Sequence, residues 1–219
     1  MSARQTVPRG RLRVKVCGIT NADDARVAIE AGADALGFNC YAGSKRWVGL
    51  TGARDWMQNL PDDVWRIAVV VDPHWDEALA IARLPFIDAL QLHGCESAEF
   101  CARLAGEGIS FGKALPATLE GALEKARSFS TDTIILDSTD GRDFGGTGRT
   151  FPWGIAAEFV DAHPTMRVVL AGGLTPANVQ EAVRLVRPWG VDVTSGVELA
   201  PGRKDHGLVR RFVEAALAV

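Results

Sequence analysis

Three short stretches of this chain place reactive side chains directly after apolar runs, and a fourth places one in a polar loop. Cys17 closes VKVCGIT, His93 closes LQLHGCES, Asp137 closes IILDST, and Arg46 sits in the loop GSKRWVG. A thiol, a carboxyl and an imidazole are the groups that move protons near neutral pH, given surroundings that tune them. A guanidinium grips a carboxylate by two parallel hydrogen bonds. Two glycine-bearing stretches join them: Ala171-Gly172-Gly173 in VLAGGLT and Thr194-Ser195-Gly196 in VDVTSGVE. Glycine lets backbone N–H groups come close to an anion, and free N–H groups at a helix start point at it. Each feature has a plainer reading too: an inert buried thiol, a loop-capping carboxylate, a packed histidine, a solvated arginine, or simple tight turns.

These residues need elements to hold them, and the chain supplies a strand–helix rhythm along almost its whole length. Strands are expected at Arg13 to Cys17, Asp34 to Phe38, Arg66 to Val71, Ile87 to Leu92, Ser110 to Ala114, Thr133 to Leu136, Arg167 to Ala171 and Val191 to Val193. Helical spacing marks Ala22 to Ala31, Asp76 to Arg83, Ser97 to Ala105, Leu119 to Ser128, Trp153 to Ala162, Pro176 to Val186 and Gly207 to Leu217. Gly32 is the expected stop of the first helix, and Thr175 the expected cap of the helix opening at Pro176. About eight units of about 25 residues fit a single-domain (β/α)8 TIM barrel, with residues 13–219 as the catalytic domain and residues 1–12 as a polar tail. An open doubly wound sheet has the same alternation, but no early Gly-x-Gly-x-x-Gly turn and no second-domain break is present. In a barrel all the reactive stretches fall at the C-terminal strand ends. The two glycine loops then follow the last two strands, where barrels hold phosphate.

Composition narrows the partners. The chain has 219 residues, is 47% hydrophobic and carries a formal net charge of −3, so a nucleic-acid surface is not expected. No apolar stretch is long enough for a bilayer, and the first ten residues lack the apolar core of a secretory signal. The 4 cysteines, Cys17, Cys40, Cys95 and Cys101, form no C-x-x-C pair, which suits a reducing cytoplasm.

Taken together, VKVCGIT, GSKRWV, LQLHG, ILDS, GGTGRTFPW, LAGGLTPANV and VDVTSGVE…PGRKD resemble the phosphoribosylanthranilate isomerase family, a ribulose-phosphate-binding barrel type, from about Val14 to about Asp205. The resemblance implies the Amadori rearrangement of N-(5-phosphoribosyl)anthranilate to 1-(2-carboxyphenylamino)-1-deoxyribulose 5-phosphate in tryptophan biosynthesis. It casts Asp137 as general acid and Cys17 as general base. Arg46 becomes the contact for the anthranilate carboxylate, and Gly172, Gly173, Ser195 and Gly196 the phosphate cradle. His93 and Asp192 become substrate-binding neighbours. It implies no metal or organic cofactor, no nucleic-acid or membrane partner, a cytoplasmic enzyme, and a monomer or homodimer. A carboxyl among strand ends is expected to be raised by desolvation and a thiol beside cations to be lowered.

The chain departs from the family pattern at Cys40, where phenylalanine is common, at Lys45 for proline, and at Cys95, where an acidic residue is frequent. Cys17, Cys40 and Cys95 are therefore expected around one rim, with Cys40 in the substrate wall. The alternatives are a histidine-pathway or dual-substrate barrel isomerase, which would place an aspartate where Cys17 stands, and a non-catalytic phosphate-ligand binding barrel.

Overall fold

The computed structural model describes residues 11–117, 123–138 and 151–219. Eight parallel strands close on themselves in sequence order: β1 (Arg13–Cys17), β2 (Ala35–Asn39), β3 (Trp65–Val70), β4 (Ala89–Leu92), β5 (Phe111–Pro116), β6 (Thr133–Asp137), β7 (Arg167–Leu170) and β8 (Gly190–Val193). Helices α1 (Ala22–Glu30), α2 (Leu50–Met57), α3 (Trp75–Ala82), α4 (Ala98–Gly106), α5 (Trp153–Ala162), α6 (Val179–Val186) and α7 (His206–Leu217) intervene, with a 3-10 helix at Leu123–Phe129. The expected barrel is the observed one.

The two-residue period of a strand sorts its side chains between two environments. In β1, Val14 and Val16 are fully buried in the layer between sheet and helices, each contributing about 1.5–3 kcal/mol relative to exposure. Lys15 and Cys17 alternate with them and face inward. The inner wall carries its own apolar cluster of Ala114, Ile135, Val169 and Ala171, below the polar strand ends. Register then decides which inward groups meet. Lys15 pairs with Asp192 across β1 and β8, and Cys17 with Gly37 across β1 and β2.

Helix ends follow local chemistry. Asn21 caps α1 by accepting from Asp24 N at 2.9 Å, and Gly32 stops it at φ +101°, as expected. The expected start of α6 is corrected from Pro176 to Val179, and its cap from Thr175 to Asn178. The Asn178 side chain accepts from Thr175 N and donates to Gly173 O, which holds residues 173–178 as a turn before helix can form. Two pieces were not anticipated. Helix α2 is obscured by Gly49 and Gly52, yet Trp56 packs edge-on against Phe38 at 5.8 Å. A hairpin of β9 (Glu198–Ala200) and β10 (Arg203–Lys204) follows β8 and turns through Pro201-Gly202, with Gly202 at φ +79°. The expected helix start at Leu119 and most of the GGTGRTFPW stretch lie outside the described residues.

Candidate active site

One cavity at the C-terminal strand ends is lined by Cys17, Arg46, His93, Asp137 and Asp192 together with Gly172, Gly173 and Ser195. The barrel thus brings together groups up to 178 positions apart in sequence, and Cys17 and Asp137 share one space. Gly196 does not line the cavity itself. It abuts Leu174, whose carbonyl oxygen would lie 1.9 Å from an added Cβ.

Cys17 is buried at the end of β1 with cations on two sides. Over Gly37, a Cβ would lie 2.6 Å from the Cys17 sulfur and 3.0 Å from Lys15 Nζ. Only a glycine leaves room for both side chains there. From the other direction, Lys204 Nζ donates to the Cys17 carbonyl at 2.5 Å. Lys15 forms a buried ion pair with Asp192 Oδ2 at 2.5 Å. Burial pulls the Lys15 ammonium down, but the charges and hydrogen bonds of Asp192 and Cys17 outweigh it and hold its pKa above the ordinary lysine value. Burial pushes Asp192 up, against the pull of Lys15 and with the help of the Asp137 charge.

Asp137 departs from the expected direction. Burial does push it up, but the His93 ring and Ser138 outweigh burial and hold its carboxyl below the usual aspartate value. His93 Nε2 stands 3.2 Å from Asp137 Oδ2, close enough to pair but without hydrogen-bond alignment. Among the described residues, two buried atoms of this cavity lack a hydrogen-bond partner: His93 Nε2 and Asp192 Oδ1. Buried polar atoms are rarely left so. A ligand bearing an acceptor and a hydroxyl would complete both.

Arg46 lies across Gly18, whose added Cβ would be 2.8 Å from Arg46 Cδ. Its Nε and Nη2 hold Glu198 by bonds of 2.7–3.1 Å. Glu198 also accepts from Lys204 Nζ at 3.0 Å and from Gly202 N at 3.2 Å. Burial pushes the Glu198 carboxyl up, yet Arg46 and Lys204 hold it below the ordinary glutamate value. Burial leaves Lys204 below the ordinary lysine value despite Glu198.

The two glycine-bearing strand ends have backbones that an anion could approach closely. Gly172 and Gly173 take φ of +82° and +65°, a region glycine enters without a Cβ penalty. After β8, Thr194 precedes a single 3-10 turn at Ser195–Val197 without a side-chain capping bond, and the first N–H groups of such a turn lack helical partners.

The cysteine expectation changes. Cys40 does not line the cavity: its thiol reaches back to Phe38 O, packs against the outer core, and is pushed up to about 12 by burial. Cys95 is exposed. No group of three or more His, Cys, Asp or Glu among the described residues is placed to hold a metal.

Sequence reasoning missed the roles of Glu198, Lys204, Gln91 and Gly37. Glu198, Lys204 and Gln91 lie in quoted motifs and Gly37 in an expected strand. The groups that Glu198, Lys204 and Gly37 meet come from distant parts of the chain and leave no local pattern, whereas Gln91 stands two residues from its partner His93, a spacing visible in LQLHG.

Comparison with known proteins identifies the family. The family model described as N-(5'phosphoribosyl)anthranilate (PRA) isomerase matches residues 14–215. This chain belongs to that family. N-(5'-phosphoribosyl)anthranilate isomerase of Thermotoga neapolitana is 43% identical over 205 residues, covering 94% of this chain and 98% of the relative. Its counterpart in Pelobacter propionicus is 43% identical over 209 residues, covering 94% and 95%. The crystal structure of phosphoribosyl anthranilate isomerase from Thermotoga maritima superposes with a TM-score of 0.85 at 39% identity, covering 95% of this chain and 100% of that one. A family structure in complex with reduced 1-(o-carboxyphenylamino)-1-deoxyribulose 5-phosphate superposes with a TM-score of 0.81 at 38% identity, with the same coverage. No helix among the described residues is long and apolar enough to cross a membrane.

Proposed function

We propose that this chain catalyses the Amadori rearrangement of N-(5-phosphoribosyl)anthranilate, with Asp137 as general acid and Cys17 as general base. The observation that carries the assignment is a carboxyl from β6 and a thiol from β1 lining one cavity, next to glycine turns suited to a phosphate. In this reading Gly172, Gly173 and Ser195 hold the phosphate, and Gly196 lets the turn after β8 pack against Leu174. The free edge of Arg46 meets the anthranilate carboxylate, and Asp192 Oδ1 accepts a ribose hydroxyl.

The first step moves the Asp137 proton to the furanose ring oxygen. The C1–O bond breaks as the amine nitrogen donates its lone pair, giving a Schiff base. Cys17, as thiolate, then removes the C2 proton, and the electron pair returns to nitrogen as the enolamine forms. Protonation at C1 and loss of the hydroxyl proton give the ketone, so atoms and electrons balance without a co-reactant.

The ligand-free site favours an ionised Asp137, so substrate has to load the acid. A bound phosphate adds negative charge and the sugar excludes water, and both effects raise a carboxyl pKa. For the base, the Cys17 sulfur shares the space over Gly37 with Lys15 Nζ, and Lys204 Nζ holds the Cys17 carbonyl.

We read the enzyme as cytoplasmic, and as a monomer or homodimer with residues 13–219 as its catalytic domain. A structure of the Thermotoga maritima relative is described as monomers generated from a dimeric enzyme. The decisive experiment adds purified protein to freshly made phosphoribosylanthranilate and follows its fluorescence. Catalysed decay supports the proposal, and a rate equal to the spontaneous one defeats it.

A further inference from the structure

We propose that Gln91 is a positioning residue that fixes His93 as its Nε2–H tautomer, so that the ring proton faces Asp137 and the incoming sugar. The inference rests on the reading of Asp137 as the acid and names how the protein keeps that proton on the right group.

Gln91 lies in β4 and His93 just beyond it, two residues apart and so on the same inward side. Gln91 is buried, and its amide nitrogen Nε2 lies 3.0 Å from His93 Nδ1. With the amide nitrogen there Nδ1 accepts and the ring proton sits on Nε2, the same tautomer that sets a donor against the acceptor-only carboxylate of ionised Asp137. That places N–H, rather than a lone pair, opposite the Asp137 carboxylate at 3.2 Å. The lowered carboxyl of Asp137 agrees with a donor at that point.

With Nδ1 occupied by the Gln91 donor, a further proton reaching the pair has one acceptor, the Asp137 carboxylate. The unaligned Nε2–H is then free to turn to the ring oxygen as it gains charge. Other charged or titratable groups facing this pair are Asp192 from β8 with its partner Lys15 from β1, Cys17 at the end of β1, and Arg46 from the loop after β2. Lys113 and Glu96 pair with each other beside Cys101 of α4. None of them replaces the contact at Nδ1, because that nitrogen faces Gln91.

The test is long-range proton–nitrogen NMR of imidazole-labelled, ligand-free protein at pH 7, with the His93 signals assigned among the 4 histidines by a His93→Gln variant. We expect the neutral Nε2–H signature for the native ring. Gln91→Glu presents an acceptor to Nδ1, so that ring is expected to become protonated on both nitrogens, and kcat to fall at least about 10-fold with KM changed less than about 3-fold. Gln91→Met, which neither donates nor accepts strongly, is expected to lie between them in both readouts. A native ring carrying its proton on Nδ1, or on both nitrogens, overturns the inference without touching the acid role. Full activity in Asp137→Asn instead removes the reading beneath it, while leaving the tautomer measurement intact.

Discussion

Arg46 meets the cavity with only part of its guanidinium, because Nε and Nη2 are bound to the Glu198 carboxylate at 2.7–3.1 Å. The grip fixes the plane and position of the side chain before any ligand arrives, so less conformational freedom remains to be lost on binding. Arg46→Met is expected to raise KM about 10- to 100-fold, the loss of a charge-assisted contact. Glu198→Gln, which loosens the arginine while keeping it, is expected to raise KM about 3- to 10-fold. Steady-state kinetics distinguishes these from an effect confined to kcat.

The proton-transfer roles make a sharper demand. Cys17→Ala and Asp137→Ala are each expected to lower kcat at least about 100-fold. Circular dichroism should report an intact barrel in both, because neither side chain belongs to the apolar layer between sheet and helices. A variant that retains near-native turnover would mean its role is assigned to the wrong residue.

Two glycine substitutions should move stability in opposite directions. Gly196→Ala drives a Cβ to 1.9 Å from the Leu174 carbonyl oxygen, with no flexible side chain to give way. A loss of about 1–3 kcal/mol in urea unfolding is expected. Gly52→Ala, within α2 and with nothing near its added Cβ, is expected to stabilise by about 0.5–1 kcal/mol.

Acid should weaken the fold partly through Glu198. Its pKa is lowered from 4.5 by Arg46 and Lys204, despite burial. The unfolded chain therefore binds that proton more readily, and the stabilisation is fully present above about pH 5 and lost as pH falls through the folded value. Asp137 has the same sign and Asp192 the opposite one, so a single variant isolates the contribution. The difference in unfolding free energy between native protein and Glu198→Gln should be large at pH 7 and shrink at pH 3. A constant difference would contradict the coupling.

Most of the barrel was legible because strand ends and reactive residues coincide. Val14 and Val16 alternate with Lys15 and Cys17, and that period is visible in one dimension. The α2 helix was not, since its glycines weaken the local signal while its support comes from Phe38 on a neighbouring strand. The lowered Asp137 pKa was likewise hidden: desolvation can be inferred from an apolar run, but the His93 ring arrives from another strand. Cys40 misled for a related reason. It opens the same loop that carries Arg46, yet the turn of the chain sends its thiol back to Phe38.

The β9–β10 hairpin has a consequence for the order in which the molecule matures. Lys204 reaches the carbonyl of Cys17 across 187 positions, and Thr20 likewise grips Gly202. A nascent chain halted on the ribosome before residue 204 could possess all eight staves of the cylinder and still present its thiol without one of its two cationic neighbours. Competence would arrive only once the hairpin that carries Lys204 has been made.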